Sequence, residues 1–204
     1  MNRPGILFVI SAPSGGGKTT LVRALNAEDS GLRVSVSHTT RARRSAEQDG
    51  VAYHFVDVAS FEKMIAAQTF LEHARVFDHY YGTSKKWVAE QLGAGVDVIL
   101  EIDWQGARQI RALMPGSVGI FILPPSLGVL EHRLRSRGDP DANIARRMQD
   151  ARSEISHYRE YDYLVFNDDL ARARSELAAI VRAARCSYTL QQPAADARVA
   201  EILR

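Results

Sequence analysis

The segment Ala12-Pro13-Ser14-Gly15-Gly16-Gly17-Lys18-Thr19 departs from the phosphate-loop pattern G-x-x-x-x-G-K-[ST] only at its first position, where Ala12 stands for Gly. Its three consecutive glycines can turn successive backbone N–H groups inward and place no Cβ in the way of phosphate oxygens. A helix opening near Lys18 would add its positive end. In that setting Lys18 would bridge the β and γ phosphates of a nucleoside triphosphate, and the Thr19 hydroxyl would ligate Mg2+. The plainer reading, a glycine-rich turn with an exposed lysine, leaves the coincidence of strand, glycines, Lys, Thr and helix unexplained.

Other residues could extend this chemistry. Glu101-Ile102-Asp103 closes an apolar run, and a carboxylate at the C-terminal end of a parallel strand points into the ligand crevice. Asp103 could hold a metal-bound water opposite Thr19, or cap the helix that begins at Trp104, or both. Arg41, Arg43 and Arg44 crowd four positions. On charge pattern alone they read as a solvated loop. A phosphate-binding reading of Arg41 and Arg44 gains from Tyr53 and Tyr81, whose hydroxyls can donate while their rings shield the ion pairs. Glu72 taken alone is a surface strand residue. The six histidines show no metal-ligand or triad spacing and read as structural or exposed.

The elements that must hold these residues alternate. Ile6 to Ile10 is continuously apolar, as a strand buried on both faces should be, and the glycine loop and an apolar-periodic stretch (Leu21, Val22, Leu25) follow it. Further strand–helix pairs are expected at 96–102 with 105–113, 119–123 with 126–135, and 163–166 with 169–185. This βα alternation predicts a parallel sheet with helices on both faces. Residues 38–83 differ: an Asp49-Gly50 turn signal and short half-polar strands near 53–56 and 70–77 suggest a small inserted lobe. Residues 137–144 form a polar break in Arg-rich helical sequence and read as a mobile lid. The tail from Gln191 carries a short apolar pattern that suits a terminal helix.

Taken together, Val34-Ser-Val-Ser37-His-Thr-Thr-Arg41-Ala-Arg-Arg44, Asp49-Gly50, Tyr53, Glu72, Tyr80-Tyr81-Gly82-Thr83, Asp103-Trp-Gln-Gly106-Ala, His157-Tyr-x-Glu-Tyr-Asp-Tyr163 and Asn167-Asp168-Asp169 resemble the guanylate kinase family, its bacterial members in particular. The likeness runs from Ile6 to about Arg185. It implies an α/β fold with a P-loop NTPase-type parallel-sheet core (1–36 and 91–204), an inserted mixed α/β GMP-binding lobe (about 37–90) and a helical lid (about 135–150). It implies ATP and GMP as substrates with Mg2+. Ala12 to Thr19 and Asn167 would bind ATP, with Asn167 near adenine. Arg41, Arg44, Tyr53 and Tyr81 would hold the GMP phosphate. Ser37, Glu72 and Thr83 would read guanine, with Glu101 nearby. Arg137 and Arg147 would join Lys18, Arg41 and Arg44 around the transferring group, and Gly138 would be a hinge.

The chemistry of these residue types agrees. Guanine offers donors at N1 and N2, whereas adenine has a bare acceptor at N1, so an acceptor-only ionised Glu72 matches one and repels the other. The chain departs from the family pattern at Arg43, where Pro is usual, at Ala46 for Gly, and at Glu101 for a common Asp. Its lid looks one residue short, which leaves Arg146 and Arg147 competing for one role. Two rival readings are a related kinase of another phosphorylated acceptor, such as a ribose bisphosphate, and a non-catalytic guanylate-kinase-like interaction module.

Bulk properties narrow the classes further. The chain has 204 residues, 46% hydrophobic and 25% charged, enough for one compact domain with a real core. A net charge of +2 argues against nucleic acid or an anionic membrane as partner, although the basic side holds 22 Arg against 4 Lys. A lone Cys186 excludes an internal disulfide and fits a reducing compartment. No apolar run is long enough for a signal h-region or a membrane span, so a cytoplasmic protein is expected. Residues 187–204 are the candidate surface for a homo-oligomer.

Overall fold

The computed structural model describes residues 3–76, 78–136 and 141–204. β1 (Leu7–Ser11) is buried throughout and lies at the centre of a five-stranded sheet. Its neighbours are β7 (Asp97–Glu101) and β8 (Val118–Leu123), with β2 (Leu32–Val34) and β9 (Tyr163–Phe166) outside them. Every pairing is parallel, in the order β2-β7-β1-β8-β9. Strand alternation sends Ile6, Phe8 and Ile10 to one face and Leu7 and Val9 to the other, and both faces are apolar.

Helices cover each face. α1 (Lys18–Glu28) buries Leu21, Val22 and Leu25, and α7 (Leu170–Cys186) buries Ala173, Leu177, Val181 and Ala184, a stripe at helical spacing. On the other face lie α3 (Lys85–Gly93) through Val88 and α4 (Trp104–Leu113) through Ile110. α5 (Leu127–Arg135) follows β8 after Pro124-Pro125 and is capped by Ser126. The expected strand–helix pairs are thus present to within a residue or so at each end.

A second sheet occupies the expected lobe, with order β4-β3-β6-β5. It joins β3 (His38–Thr39), β4 (His54–Phe55), β5 (Phe70–Val76) and β6 (His79–Ser84). Gly50, at φ 74°, makes the turn that Asp49-Gly50 signals, and its N–H donates to Tyr53 O. Sequence patterning assigns no helix to 58–66 or 85–93, but the structure forms α2 (Val58–Ala66), capped by Asp57, and α3, capped by Ser84. The polar break also needs correcting. Residues 141–144 are the first turn of α6 (Asp141–Ser156), and α5 ends at Arg135. Arg137 and Gly138 lie outside the described residues. A terminal helix, α8 (Tyr188–Ile202), packs on the α7 side through Leu190.

Candidate active site

The phosphate loop leaves β1 at Ser11 and enters α1 at Lys18. Gly15 and Gly17 have φ of 88° and 94°, a region closed to most residues, and the Gly16 N–H closes the turn on Pro13 O at 2.8 Å. α2, α3, α4, α5 and α7 each receive a side-chain cap from Asp57, Ser84, Asp103, Ser126 and Asp169. Gly17, which starts α1, supplies none. The first N–H groups of α1 are therefore left for an anion. Lys18 Nζ lies 3.4 Å from Ile102 O at the end of β7, which stretches its side chain across the crevice.

Oxygen donors gather at the same end of the sheet. The Thr19 hydroxyl donates to Glu101 Oε2 at 2.9 Å. Asp103 accepts from the Gly106 N–H at 3.0 Å and from Gln105 Nε2 at 3.0 Å, so it is the cap of α4. The carboxylate in contact with Thr19 is Glu101, and Asp103 caps its helix. Among the described residues no three His, Cys, Asp or Glu side chains form a metal cage. One hydroxyl and one or two carboxylates at a phosphate loop are hard oxygen donors that fit Mg2+, which draws its remaining ligands from phosphate and water.

The lobe sheet faces this loop with a buried carboxylate. Glu72, on β5, is 3% exposed, and its Oε1 accepts the Thr83 hydroxyl of β6 at 2.5 Å. Burial pushes the Glu72 carboxyl up to about 7, against the Thr83 hydrogen bond and the nearby Lys18 charge and with the help of Asp103. A carboxyl this dry stays ionised only where donors are brought to it, and otherwise takes up a proton. Thr83 thus supports Glu72, and its hydroxyl hydrogen is already committed.

Arg41, Tyr53 and Tyr81 come together at the other side of the lobe. The Arg41 guanidinium lies 5.4 Å from the Tyr53 ring centre, and the Tyr53 and Tyr81 rings are 5.8 Å apart. Burial, then the neighbouring Tyr81 and Glu101, push the Tyr53 phenol up. That brings Glu101 within electrostatic reach of the lobe as well as of Thr19. Arg41 pairs with Glu47 Oε1 at 2.7 Å, while Glu47 Oε2 accepts the Arg44 N–H at 2.9 Å. The 41–47 loop is wrapped around its own carboxylate. Arg44 is exposed on that loop, and Ser37 stands half-buried beside β3, where its carbonyl accepts the His54 N–H.

A guanylate kinase family model matches residues 5–184. The chain belongs to the guanylate kinase family. It is 58% identical over 200 residues to the guanylate kinase of Methylococcus capsulatus, covering 98% of each chain, and 55% identical over 200 residues to that of Nitrosococcus oceani with the same coverage. The crystal structure of guanylate kinase from Anaplasma phagocytophilum is similar to it with a TM-score of 0.78 at 34% identity, covering 94% of this chain and 91% of that one.

Several contacts in this guanylate kinase family member lie beyond what the sequence motifs reach. Asn167 is buried, and its Nδ2 donates to Gly16 O at 2.8 Å, so it braces the phosphate loop directly. A Cβ on Gly17 would collide with that amide. Arg133 reaches Asn167 O at 3.2 Å. On α6, Ile144 and Ala151 are buried, and Arg147 and Glu154 share their stripe at i+3 and i+10. Arg147 is half-buried on that inward side, while Arg146 turns outward to Asp78 at 3.2 Å in the β5–β6 turn. Glu154 accepts the Ser14 N–H at 3.2 Å, and burial pushes its carboxyl up to about 7 against the pull of Lys18. Nothing in the sequence near Glu154 or Glu47 marks either one. Their partners are chosen by the fold, Ser14 lying 140 residues from Glu154.

Proposed function

We propose that this chain transfers the γ-phosphoryl group of ATP to GMP, giving ADP and GDP, and that it also accepts dGMP. Family membership supports the reaction, and one observation supports the choice of acceptor. Glu72 is a buried carboxylate 2.5 Å from the Thr83 hydroxyl, in the lobe that faces the phosphate loop. When ionised it is acceptor-only, and the N1–H and N2–H donors of guanine are what it lacks. Adenine would leave it unsatisfied, and such a mismatch discriminates strongly. Thr83 acts through Glu72, while Ser37 and Glu101 complete the guanine side.

Phosphoryl transfer here needs no general base, because a phosphate monoester with a second pKa near ~6 is already largely anionic at neutral pH. Positioning and charge neutralisation carry the rate. The loop from Ala12 to Thr19, braced by Asn167, cradles the ATP phosphates, with Lys18 on the transferring side. Asn167 lies next to where adenine leaves the loop. Arg41, Arg44, Tyr53 and Tyr81 hold the GMP phosphate, with Arg41 exchanging Glu47 for phosphate oxygens. Arg137 and Arg147 of the lid complete the cationic ring. Thr19, Glu101 and, through water, Asp103 would hold Mg2+, which when bound neutralises charge on the β and γ phosphates. The site of action is the cytoplasm, consistent with the lack, among the described residues, of a helix able to cross a membrane.

A coupled assay of ADP release across GMP, dGMP, AMP, UMP and CMP tests this reading. GMP and dGMP should be turned over at least ~10³-fold more efficiently than AMP, in line with rejection of a base that leaves a buried polar group unpaired. Lys18→Ala should abolish turnover without lowering Tm. Comparable rates with AMP, or a near-normal kcat in Lys18→Ala, would remove the acceptor half or the donor half respectively.

A further inference from the structure

Glu72 belongs to the lobe, yet what stands against its second oxygen belongs to the core. Gly106 sits in the first turn of α4, its N–H held by the Asp103 cap. A Cβ built on Gly106 would come closer than 3.0 Å to Glu72 Oε2, a separation real Cβ atoms do not keep, and would lie 3.2 Å from Glu72 Cδ and from Ile102 Cδ1. One turn further along α4, Gln109 grips the backbone of β5 next to Glu72. Gln109 Nε2 donates to His73 O at 2.8 Å and Gln109 Oε1 accepts the His73 N–H at 3.2 Å. The amide pair fixes how close β5 comes to α4, and the bare Cα of Gly106 makes the space that the carboxylate then fills.

We propose that Gly106 is a specificity-positioning residue: by lacking a side chain, and with Gln109 clamping β5 beside it, it lets the core helix α4 set where Glu72 presents its carboxylate to guanine. The inference rests on the reading of Glu72 as the base-reading group. It explains why a helix with a good N-cap tolerates glycine at its third position, where alanine would be the better helix former. Gly106 has no positive φ, so alanine strains no backbone there. The atom displaced is the far end of a flexible side chain, so the fold survives. What cannot survive is the carboxylate position, since Glu72 is buried and tied to Thr83.

The experiment compares Gly106→Ala, Glu72→Gln and the double variant, measuring Tm, ATP affinity by calorimetry, and kcat and KM for GMP. Gly106→Ala should leave Tm unchanged, keep ATP affinity within twofold of the parent and raise KM for GMP at least tenfold, with a smaller change in kcat. If Gly106 acts on the base site through Glu72, the double variant should be no worse than Glu72→Gln alone, a non-additivity that a general packing role, such as one against Ile102, would not produce. A parental KM in Gly106→Ala, or additive losses in the double variant, overturns the role of Gly106 and leaves Glu72 as the reader of guanine. Unchanged guanine preference in Glu72→Gln sinks the underlying reading, and the proposal with it. If Gly106→Ala failed to fold, Gln109→Ala would test the same geometry without adding an atom to the crevice. It should raise KM for GMP severalfold and again be masked by Glu72→Gln, and a parental KM there overturns the proposal.

Discussion

At the scale of single residues, the environment of Glu72 sets two opposite pH dependences. Only the ionised carboxylate can accept from N1–H and N2–H, so KM for GMP should rise as pH falls from 8 to 6, by about tenfold per unit once the pH is below the group's pKa. Glu72→Gln should abolish that slope, and a slope retained in the variant would assign it elsewhere. Stability runs the other way. The folded value, about 7, lies above the ordinary 4.5. Its contribution to stability is therefore fully present below about pH 4.5 and lost as pH rises through about 7. Replacing Glu72 by Gln should stabilise the empty protein at pH 8 relative to pH 5, by on the order of 3 kcal/mol. Equal effects of the substitution at both pH values, read by denaturant melts, would mean an unperturbed carboxyl. The sequence names Glu72 because it sits among motifs. Its burial comes from packing against β6 and α4, and its raised pKa from that burial with the help of Asp103, the cap of α4, so both are set by two other parts of the chain.

At the scale of elements, caps separate structural from chemical roles. Asp103 is the cap of α4 and a candidate for the metal-bound water, and two substitutions divide these. Asparagine caps as well as aspartate, so Asp103→Asn should leave stability within ~0.5 kcal/mol, whereas Asp103→Ala should cost about 1 kcal/mol. If Asp103→Asn also kept its kcat and its magnesium requirement, the metal role would fall to Glu101 alone. α2 and α3 were within reach of the same reasoning. Asp57 and Ser84 are side-chain caps, and Phe61 and Val88 are the residues their helices bury. The lobe's general mixture of short strands hid those signals. β3 and β4 are different. Two-residue strands carry no periodicity of their own and exist only because β6 and the Ser37–His54 backbone contact pair with them.

At the scale of the whole molecule, one carboxylate ties distant segments together. Asp97, at the start of β7, is fully buried and accepts from Arg3 at 2.7 and 2.8 Å, from the Ile6 N–H at 2.8 Å and from Arg185 at 2.7 Å. Arg185 continues to Asp29 at 2.6 Å. The N-terminal segment, the central sheet, the end of α1 and the end of α7 thus share one charge cluster. Removing one member of such a cluster strands the others, so Asp97→Ala should cost about 3–5 kcal/mol. KM for ATP and GMP in the folded fraction should stay unchanged. Chemical denaturation and steady-state kinetics check both halves, and a loss below 1 kcal/mol would show that water replaces the pair. By itself the sequence determined the parallel βα core and the phosphate-loop motif, and supplied the residue types proposed for the acceptor site, because strand burial, glycine conformation and helix periodicity are written in near neighbours. Only the tertiary structure decided that Glu101, not Asp103, touches Thr19, that Asn167 braces Gly16, and that Glu154 meets Ser14. It also decided that a glycine in the core makes room for a carboxylate in the lobe. Those are contacts between segments far apart in the chain, fixed by how the helices and two sheets pack, and local pattern carries no record of them.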